Sequence, residues 1–402
     1  MEEKRSTNGS ELAGKRSKPE DVVEEILTKI RPRVPALEGC RSISCFECLR
    51  KIDEGSYGVV FKAQDNQTGD IVAIKKIKLE KEKEGFPITS LREINAMISF
   101  DHPNIVKIKE VVYGRSLDKI FVVMEYIDYE LKNLLEDKKF NLTHGQVKYL
   151  LKQLLQAVHY MHSNWTLHRD LKTSNLLVDK KGNLKVCDFG LARKFADPLR
   201  PYTNMVVTMW YRAPELLLGA KVYTTGIDMW SVGCIFAELL LREPLFTGKN
   251  EQDQIDRIFK LLGYPKETLA DKWPMLKRLM KDFPAPSKKQ GRDKVREKFP
   301  KVALPGDPFL SDIGVDLMKK LLALDPEERI SASQALEHPW FQEEPLEEEL
   351  HSFHITDNDK AENKKKRKKS LDEEQIRQRE AMHEGEQRYG NTTNKNYNAV
   401  RS

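Results

Sequence analysis

The most informative stretch of this 402-residue chain is Leu167-His-Arg-Asp-Leu-Lys-Thr-Ser-Asn-Leu-Leu177. Two short motifs follow it along the chain, Asp188-Phe-Gly190 and then Ala213-Pro-Glu215. Each of them alone has an ordinary structural interpretation, because aspartate and glycine are common in turns and loops. The ordered set does not arise by chance, and it predicts one site that is assembled from separate segments.

A pair of glycines lies upstream, in Gly55-Ser-Tyr-Gly58. The pair alone is a weak signal, since glycines occur in many tight turns. In a dinucleotide-binding fold such a turn opens a helix, whereas here Val59-Val-Phe-Lys-Ala63 continues as a strand. The glycines therefore predict a hairpin that can fold over phosphates, and Lys75 on the next strand is placed to hold them.

Together these segments match the protein-kinase signature. Phosphoryl transfer needs an aligned hydroxyl, a neutralised triphosphate and metal ions held between the phosphates. Asp170 is expected to orient the substrate hydroxyl and accept its proton, and Lys75 to hold the α- and β-phosphates of ATP. Asn175 and Asp188 offer the hard oxygen ligands that Mg²⁺ prefers.

Composition fits one large enzyme core with polar tails. Hydrophobic residues make up 39% and charged residues 32% of the chain. No apolar run approaches the ~20 residues that a membrane span needs, so no membrane partner is expected. The net charge of +6 is a small excess of 68 basic over 62 acidic residues, and direct nucleic-acid binding is not expected.

Changes in composition divide the chain into three parts. Residues 1–45 are polar and charged and predict a flexible N-terminal arm. Residues 46–341 form the predicted catalytic domain, and residues 342–402 a disordered tail. The start of the chain lacks a secretory pattern. The basic run Lys364–Lys369 in the tail predicts nuclear localisation, with the cytoplasm as a second possible compartment.

The predicted domain changes character along its length. Short β-rich runs separated by turn signals come first, and apolar runs with helical spacing follow, as in Met229–Leu240. The fold class is therefore α+β. The small β-rich N-lobe covers about residues 46–126 and contains one main helix. The large α-helical C-lobe covers about residues 127–341.

From about Phe46 to Phe341 the sequence resembles the cyclin-dependent kinase family, and within it the PITSLRE subgroup. Pro87-Ile-Thr-Ser-Leu-Arg-Glu93 reads as the name-giving helix, and Lys172-Thr-Ser-Asn175 is also similar to that subgroup. The resemblance implies a bilobal protein-kinase fold with ATP and Mg²⁺ in the cleft, a cyclin subunit and protein substrates. It also implies a role in transcription, pre-mRNA processing or cell-cycle control.

The resemblance further implies which residues act on the nucleotide. The backbone of Glu125 and Ile127 would contact adenine at the hinge between the lobes. Lys172 fits serine/threonine kinases, in which it approaches the transferring phosphate. The residues implied for the rest of the nucleotide site are Ile52, Gly55, Gly58, Val60, Ala73, Lys75 and Leu177.

An activation switch is implied as well. Glu93 must pair with Lys75 for the lysine to be held against the phosphates, and a cyclin would favour that position of the helix. An activating kinase would phosphorylate Thr203. The arginines expected to meet this phosphate are Arg92, Arg169 and Arg193.

Two further features concern the substrate and the phosphate loop. Val206, Val207 and Arg212 match relatives in which the carbonyl of the second valine turns toward the arginine. This carbonyl cannot then accept a backbone N–H from the substrate. Proline has no N–H to leave unpaired, so proline is expected directly after the phosphorylated residue. Asp53 replaces the first glycine of the phosphate loop, and its side chain is expected to face solvent.

Other functional classes fit less well. A pseudokinase would lack at least one catalytic residue, whereas all five are present: Lys75, Glu93, Asp170, Asn175 and Asp188. A mitogen-activated kinase shares Trp210–Glu215, but this loop reads Tyr202-Thr203 and lacks that family's Thr-x-Tyr pair. A nucleic-acid binder would need aromatic residues beside the basic run Lys364–Lys369, because aromatic side chains stack on bases. The run has no such neighbours.

Overall fold

The structure is a computed structural model that describes residues 40–55, 58–77, 98–114, 119–137, 139–195, 209–220, 223–265, 293–302 and 308–350. The N-lobe helix with Glu93 and Arg92, the segment with Thr203, Val206 and Val207, and the basic run Lys364–Lys369 lie outside these residues. Within the described ranges, every helix is too short or too polar to cross a membrane.

A five-stranded antiparallel sheet forms the first lobe. Its spatial order is β1-β2-β3-β5-β4, and the strands are β1 (Phe46–Gly55), β2 (Gly58–Asp65), β3 (Ile71–Ile77), β4 (Ile108–Tyr113) and β5 (Ile120–Glu125). β-Branched and aromatic residues fill these strands, which suits a pleated surface with one buried face. The sheet confirms the predicted β-rich lobe.

The two glycines lie at the tip of the first hairpin. Gly55 and Gly58 face each other across β1 and β2, as predicted. Gly58 has a φ of +153°, and a Cβ at this position would collide with the backbone oxygen of Lys76 on β3, so only glycine fits. Asp53 pairs with Val60 and is exposed, which confirms that its side chain faces solvent.

Helices dominate the second lobe. They are α1 (Leu131–Glu136), α2 (His144–Ser163), α3 (Pro214–Leu217), α4 (Gly226–Leu241), α5 (Glu251–Leu262), α6 (Val295–Lys298), α7 (Asp312–Leu321) and α8 (Ala332–Leu336). Two small sheets accompany them, built from β6 (Tyr129–Glu130), β7 (Thr166–Leu167), β8 (Leu176–Val178), β9 (Leu184–Val186) and β10 (Arg193–Lys194). This arrangement confirms the predicted helical lobe.

The two longest helices form the centre of the C-lobe. Helix α2 starts at a capping box in which Thr143 and Gln146 exchange side-chain and backbone hydrogen bonds. Helix α4 is buried on nearly all sides, including the fully buried Trp230. A helix that is apolar all round is stable only inside a core, which explains why α4 carries so few exposed positions.

The segment before β4 ties the lobes together. Val106 donates its backbone N–H to the Val186 carbonyl of β9 at 2.9 Å, and Val186 donates to the Asn104 carbonyl at 2.8 Å. The Asn104 side chain donates to the Leu184 carbonyl at 2.9 Å. These bonds hold the sheet of the first lobe over β8 and β9, and the space between them contains the predicted site residues.

Candidate active site

The loop between β7 and β8 carries the central group of predicted catalytic residues. Lys172 Nζ lies 2.8 Å from Asp170 Oδ2. Asn175 Nδ2 donates to the Asp170 carbonyl at 2.8 Å and to Asp170 Oδ2 at 3.2 Å. The structure therefore brings these three predicted residues together, and it gives the Asp170 carboxylate two donors that limit its orientation.

Asp228 of α4 binds the backbone of this loop. Its fully buried carboxylate accepts the backbone N–H of His168 at 2.9 Å and of Arg169 at 2.8 Å. Arg169 has a left-handed φ of 71°, which a non-glycine residue keeps only when its surroundings enforce it. Burial raises the pKa of Asp228, but His162, His168 and the backbone N–H of Arg169 together outweigh burial and keep this pKa below its usual value.

Lys75 and Asp188 meet across the cleft. Lys75 Nζ on β3 lies 3.0 Å from Asp188 Oδ1, and the side chains are 12% and 26% exposed. Burial raises the pKa of Asp188, but Lys75, with smaller contributions from His168 and Lys172, more than compensates and lowers this pKa below its usual value. Asp188 is therefore ionised at neutral pH. The two residues, predicted from separate motifs, form one ion pair at the boundary of the lobes.

The residues next to Asp188 fix its position. Asp188 has a left-handed φ of 62°, and the following Phe189 is fully buried. The Phe189 ring packs against His168, with centroids 5.0 Å apart, and against Phe100 of the first lobe, at 5.4 Å. The aromatic contacts link the metal-ligand candidate to the catalytic loop and to the other lobe at once.

Asn175 and Asp188 suit a divalent cation that is bound to a triphosphate. Cys187 donates its backbone N–H to the Asn175 carbonyl at 2.9 Å, which places the two candidate ligands side by side. The amide nitrogen of Asn175 is used by Asp170, so its side-chain oxygen is the atom that remains to accept a cation. An amide oxygen beside an ionised carboxylate is a donor set that suits Mg²⁺, with phosphates and waters at its other positions.

The remaining nucleotide-site candidates lie on or directly next to strands β1, β2, β3, β5 and β8. Ala73 on β3 pairs with Met124 on β5, and Lys75 pairs with Val60 on β2. The Glu125 carboxylate accepts from Lys107 N at 2.8 Å and from Lys185 Nζ at 2.9 Å. Any contact of Glu125 with a base is therefore expected from its backbone. The other candidates in this part of the cleft are the half-buried Ile52, Ile127 and Leu177.

Two of the arginines that were predicted to meet a phosphate, Arg169 and Arg193, lie in the described part of the chain. Arg169 donates through Nε to the Leu191 carbonyl at 2.6 Å and through Nη1 to Tyr223 Oη at 2.8 Å. Arg193 lies on β10, which pairs with β7 just before the catalytic loop. Arg169 thus connects the catalytic loop to the segment that follows Asp188.

The third motif contributes to the fold. The Glu215 carboxylate accepts from Arg329 Nη1 at 2.7 Å and from Nη2 at 3.1 Å, and both side chains are almost fully buried. A bidentate buried pair of this kind fixes the start of α3 relative to the segment between α7 and α8, which carries Arg329. Sequence reasoning missed Arg329 and Asp228. The signal for Asp228 was an aspartate inside the apolar run Ile227–Leu240.

Comparisons with known proteins agree with this geometry. A family model for the protein kinase domain matches residues 46–341. The chain is 56% identical over 310 residues to cyclin-dependent kinase G-2 of Oryza sativa subsp. indica, which covers 77% of this chain and 43% of that protein. It is 51% identical over 317 residues to the serine/threonine-protein kinase PITSLRE of Drosophila melanogaster, which covers 78% of this chain and 33% of that protein.

A solved structure is similar as well. The crystal structure of the yeast RNA Pol II CTD kinase CTDK-1 complex contains a chain that is 41% identical, with a TM-score of 0.66. The match covers 77% of this chain and 97% of that chain. The chain spans less than half the length of the rice and fly relatives. On these grounds the chain belongs to the protein kinase domain family, among the cyclin-dependent kinases of PITSLRE type.

Proposed function

We propose that this chain is a serine/threonine protein kinase that transfers the γ-phosphate of ATP to protein substrates. The observation that carries the proposal is the convergence of two charge pairs in one cleft, Lys75 with Asp188 at 3.0 Å and Lys172 with Asp170 at 2.8 Å. One pair is placed for a nucleotide and its metal, and the other for the attacking hydroxyl.

The catalytic loop handles the proton of the substrate. Asp170 accepts a hydrogen bond from the substrate hydroxyl and takes its proton as the hydroxyl oxygen bonds to the γ-phosphorus. The bond from that phosphorus to the β-phosphate oxygen breaks, and ADP leaves. Lys172, already 2.8 Å from Asp170, is close enough to stabilise charge on the transferring group.

A second group of residues in the cleft would hold the triphosphate. Lys75 keeps its ammonium beside Asp188 and would contact the α- and β-phosphates from there. Asn175 and Asp188 would hold Mg²⁺, which neutralises charge between the phosphates when bound. Ala73 and Leu177 supply the apolar walls for the base. The backbone of Glu125 and Ile127 supplies its hydrogen bonds, and Gly55 and Gly58 let the hairpin approach the phosphates.

The proposed kinase acts with a cyclin and is switched on by phosphorylation. The relatives are named as cyclin-dependent kinases, and the similar solved structure is a kinase complex. Cyclin binding would favour the helix position in which Glu93 pairs with Lys75. A phosphate placed on Thr203 by an activating kinase would add about −1.5 to −2 charges for Arg92, Arg169 and Arg193 to bind.

The test measures initial rates for the full chain alone, with each of a panel of recombinant cyclins, and with a cyclin plus an activating kinase. Rates are expected to rise at both steps, and a peptide with serine before proline is expected to react faster than its serine-alanine counterpart. Thr203→Ala is expected to lose the second step, while Thr68→Ala, in the exposed turn after β2, keeps it. Full activity of the lone unphosphorylated chain would overturn the switch, and a complex that transfers no phosphate to protein would overturn the function.

We also propose that the kinase acts in the nucleus, in transcription, pre-mRNA processing or cell-cycle control. The basic run Lys364–Lys369 supports this address. A fluorescent fusion with this run changed to alanine is expected to move to the cytoplasm. A control in which the lysines become arginine keeps the charge and is expected to stay nuclear. An alanine variant that remains as nuclear as the parent would count against this signal.

A further inference from the structure

Thr173 lies in the catalytic loop and is fully buried. Its Oγ1 is 2.9 Å from Glu238 Oε1 and 3.1 Å from Tyr211 Oη. Tyr211 Oη is in turn 2.6 Å from Glu238 Oε2. The three side chains therefore form a closed hydrogen-bonded triangle, called here the Thr173 triangle. None of its members belongs to the residues assigned above to ATP, Mg²⁺ or proton transfer.

The corners of the Thr173 triangle come from three different elements. Thr173 belongs to the catalytic loop and Glu238 to the buried helix α4. Tyr211 ends the short turn Met209–Tyr211. This turn is called here the substrate-side turn, because it directly precedes Arg212, one of the residues predicted to select proline in the substrate. Ser231 of α4 donates to the Tyr211 carbonyl at 2.9 Å, so the turn is held on the same helix by a second bond. The triangle is thus a direct polar link between catalytic loop and substrate-side turn.

The hydrogen atoms in the triangle can be counted. Three oxygen–oxygen contacts of 2.6 to 3.1 Å need three hydrogens, and the two hydroxyls supply two of them. A third hydrogen would come from Glu238 in its protonated form. Within the described part of the chain no ion pair involves Glu238, and burial raises its pKa more strongly than the bonds from Tyr211 and Thr173 lower it. The raised pKa favours the neutral acid, which would complete the ring without the cost of a buried charge.

The position of Thr173 in the loop gives the triangle its consequence. Lys172 and Asn175, on either side of it, are the two residues that bind the Asp170 carboxylate. Asn175 also donates its backbone N–H to the Lys172 carbonyl at 2.9 Å, so this part of the loop is one compact turn. A shift at Thr173 would move both partners of Asp170 together.

We propose that Thr173 is a positioning residue for phosphoryl transfer, because its hydroxyl bonds to Tyr211 and Glu238 and thereby orients Lys172 and Asn175 around Asp170. The inference rests on the proposed kinase function. It concerns the turnover step and not ATP binding, since the Thr173 hydroxyl bonds to Tyr211 and Glu238 and these residues are not among the nucleotide-site candidates.

The experiment compares Thr173→Val, Thr173→Ser and a matched control, Thr166→Val, in the full chain bound to the cyclin that gives the highest rate. Valine keeps the branched shape of threonine and replaces its hydroxyl by a methyl group, which cannot form a hydrogen bond. Thr166 is also buried and near the loop, but its hydroxyl bonds to the Asn164 carbonyl, outside the triangle. We expect Thr173→Val to lower kcat about 10- to 100-fold with KM for ATP unchanged, as for a catalytic group displaced by a fraction of an ångström. Thr173→Ser and Thr166→Val should stay within about threefold of the parent.

Amide hydrogen exchange supplies a readout that does not depend on activity. Exchange across residues 168–177 is expected to accelerate in Thr173→Val and not in Thr166→Val. Tyr211→Phe should also lower kcat, and the double variant should be no worse than Thr173→Val alone, because both remove the same network.

Equal kcat in Thr173→Val and the parent, equal losses in both valine variants, or a loss confined to KM would overturn the proposal. If Thr173→Val fails to fold, an unchanged kcat in Tyr211→Phe would do so. A parent complex without transfer activity would instead refute the kinase function, and the exchange data would still decide the triangle.

Discussion

Replacing Asp170 with asparagine is expected to reduce kcat by about 10²- to 10⁴-fold, the range for loss of a positioned acid–base group. The side chain is 9% exposed and receives hydrogen bonds from Lys172 and Asn175. Asparagine keeps the volume of the side chain, but it cannot take the substrate proton. Its NH₂ group is itself a donor and cannot accept the hydrogen bonds from Lys172 and Asn175. ATP affinity should change little, because Lys75 and Asp188, which are proposed to hold the phosphates and their metal, remain in place.

The measurement combines steady-state kinetics of the cyclin complex with calorimetric titration of a non-hydrolysable ATP analogue. Asp179→Asn is the matched control, since Asp179 also accepts several hydrogen bonds, but in the turn between β8 and β9. The control should keep the parental kcat. Near-normal turnover in Asp170→Asn would show that another group receives the proton, and a large loss of nucleotide affinity would show that Asp170 contributes to binding.

Replacing Asp188 with asparagine is expected to lower kcat/KM by about 10²- to 10³-fold, a typical loss for removing one stabilising charge at a reacting group. The variant loses the 3.0 Å partner of Lys75 together with a proposed Mg²⁺ ligand. The Mg²⁺ concentration that gives half-maximal rate should therefore rise, which distinguishes this variant from Asp170→Asn.

A Mg²⁺ titration at saturating ATP measures this shift. Asp101→Asn is the control, because Asp101 also pairs with a lysine at 3.0 Å, but on the exposed surface. Such surface pairs contribute about 0–1 kcal/mol, and its kinetics should match the parent. An Asp188→Asn enzyme with the parental Mg²⁺ requirement would remove Asp188 from the metal site.

The lowered pKa of Asp188 also predicts a pH profile. A carboxyl group whose pKa is depressed in the folded state keeps its charge above its usual pKa and loses it as pH falls through the depressed value. The Lys75–Asp188 pair should therefore be intact from about pH 5 upward. An acid limb of the rate profile between pH 5 and 7 must therefore come from a group other than Asp188.

Local sequence was enough to predict the catalytic loop. Asp170, Lys172 and Asn175 are close in the chain, so their mutual contacts follow from one compact turn. The glycine hairpin was equally readable, because Gly55 and Gly58 bracket a tip between two β-rich runs. The motifs also predicted Lys75 and Asp188 as parts of one site. Their direct 3.0 Å contact was not predicted, since it depends on how one lobe lies on the other.

The sequence by itself determined the two-lobe α+β fold, the membership of the kinase family and the residues proposed for ATP and Mg²⁺. These properties depend on short motifs and on the spacing of apolar residues, which are local. Only the tertiary structure showed the buried groups that hold the loop, Asp228, Glu238 and the hydroxyl of Thr173. A buried polar side chain is stable only when distant segments supply its hydrogen-bond partners, and its own neighbours in the chain do not reveal which segments these are.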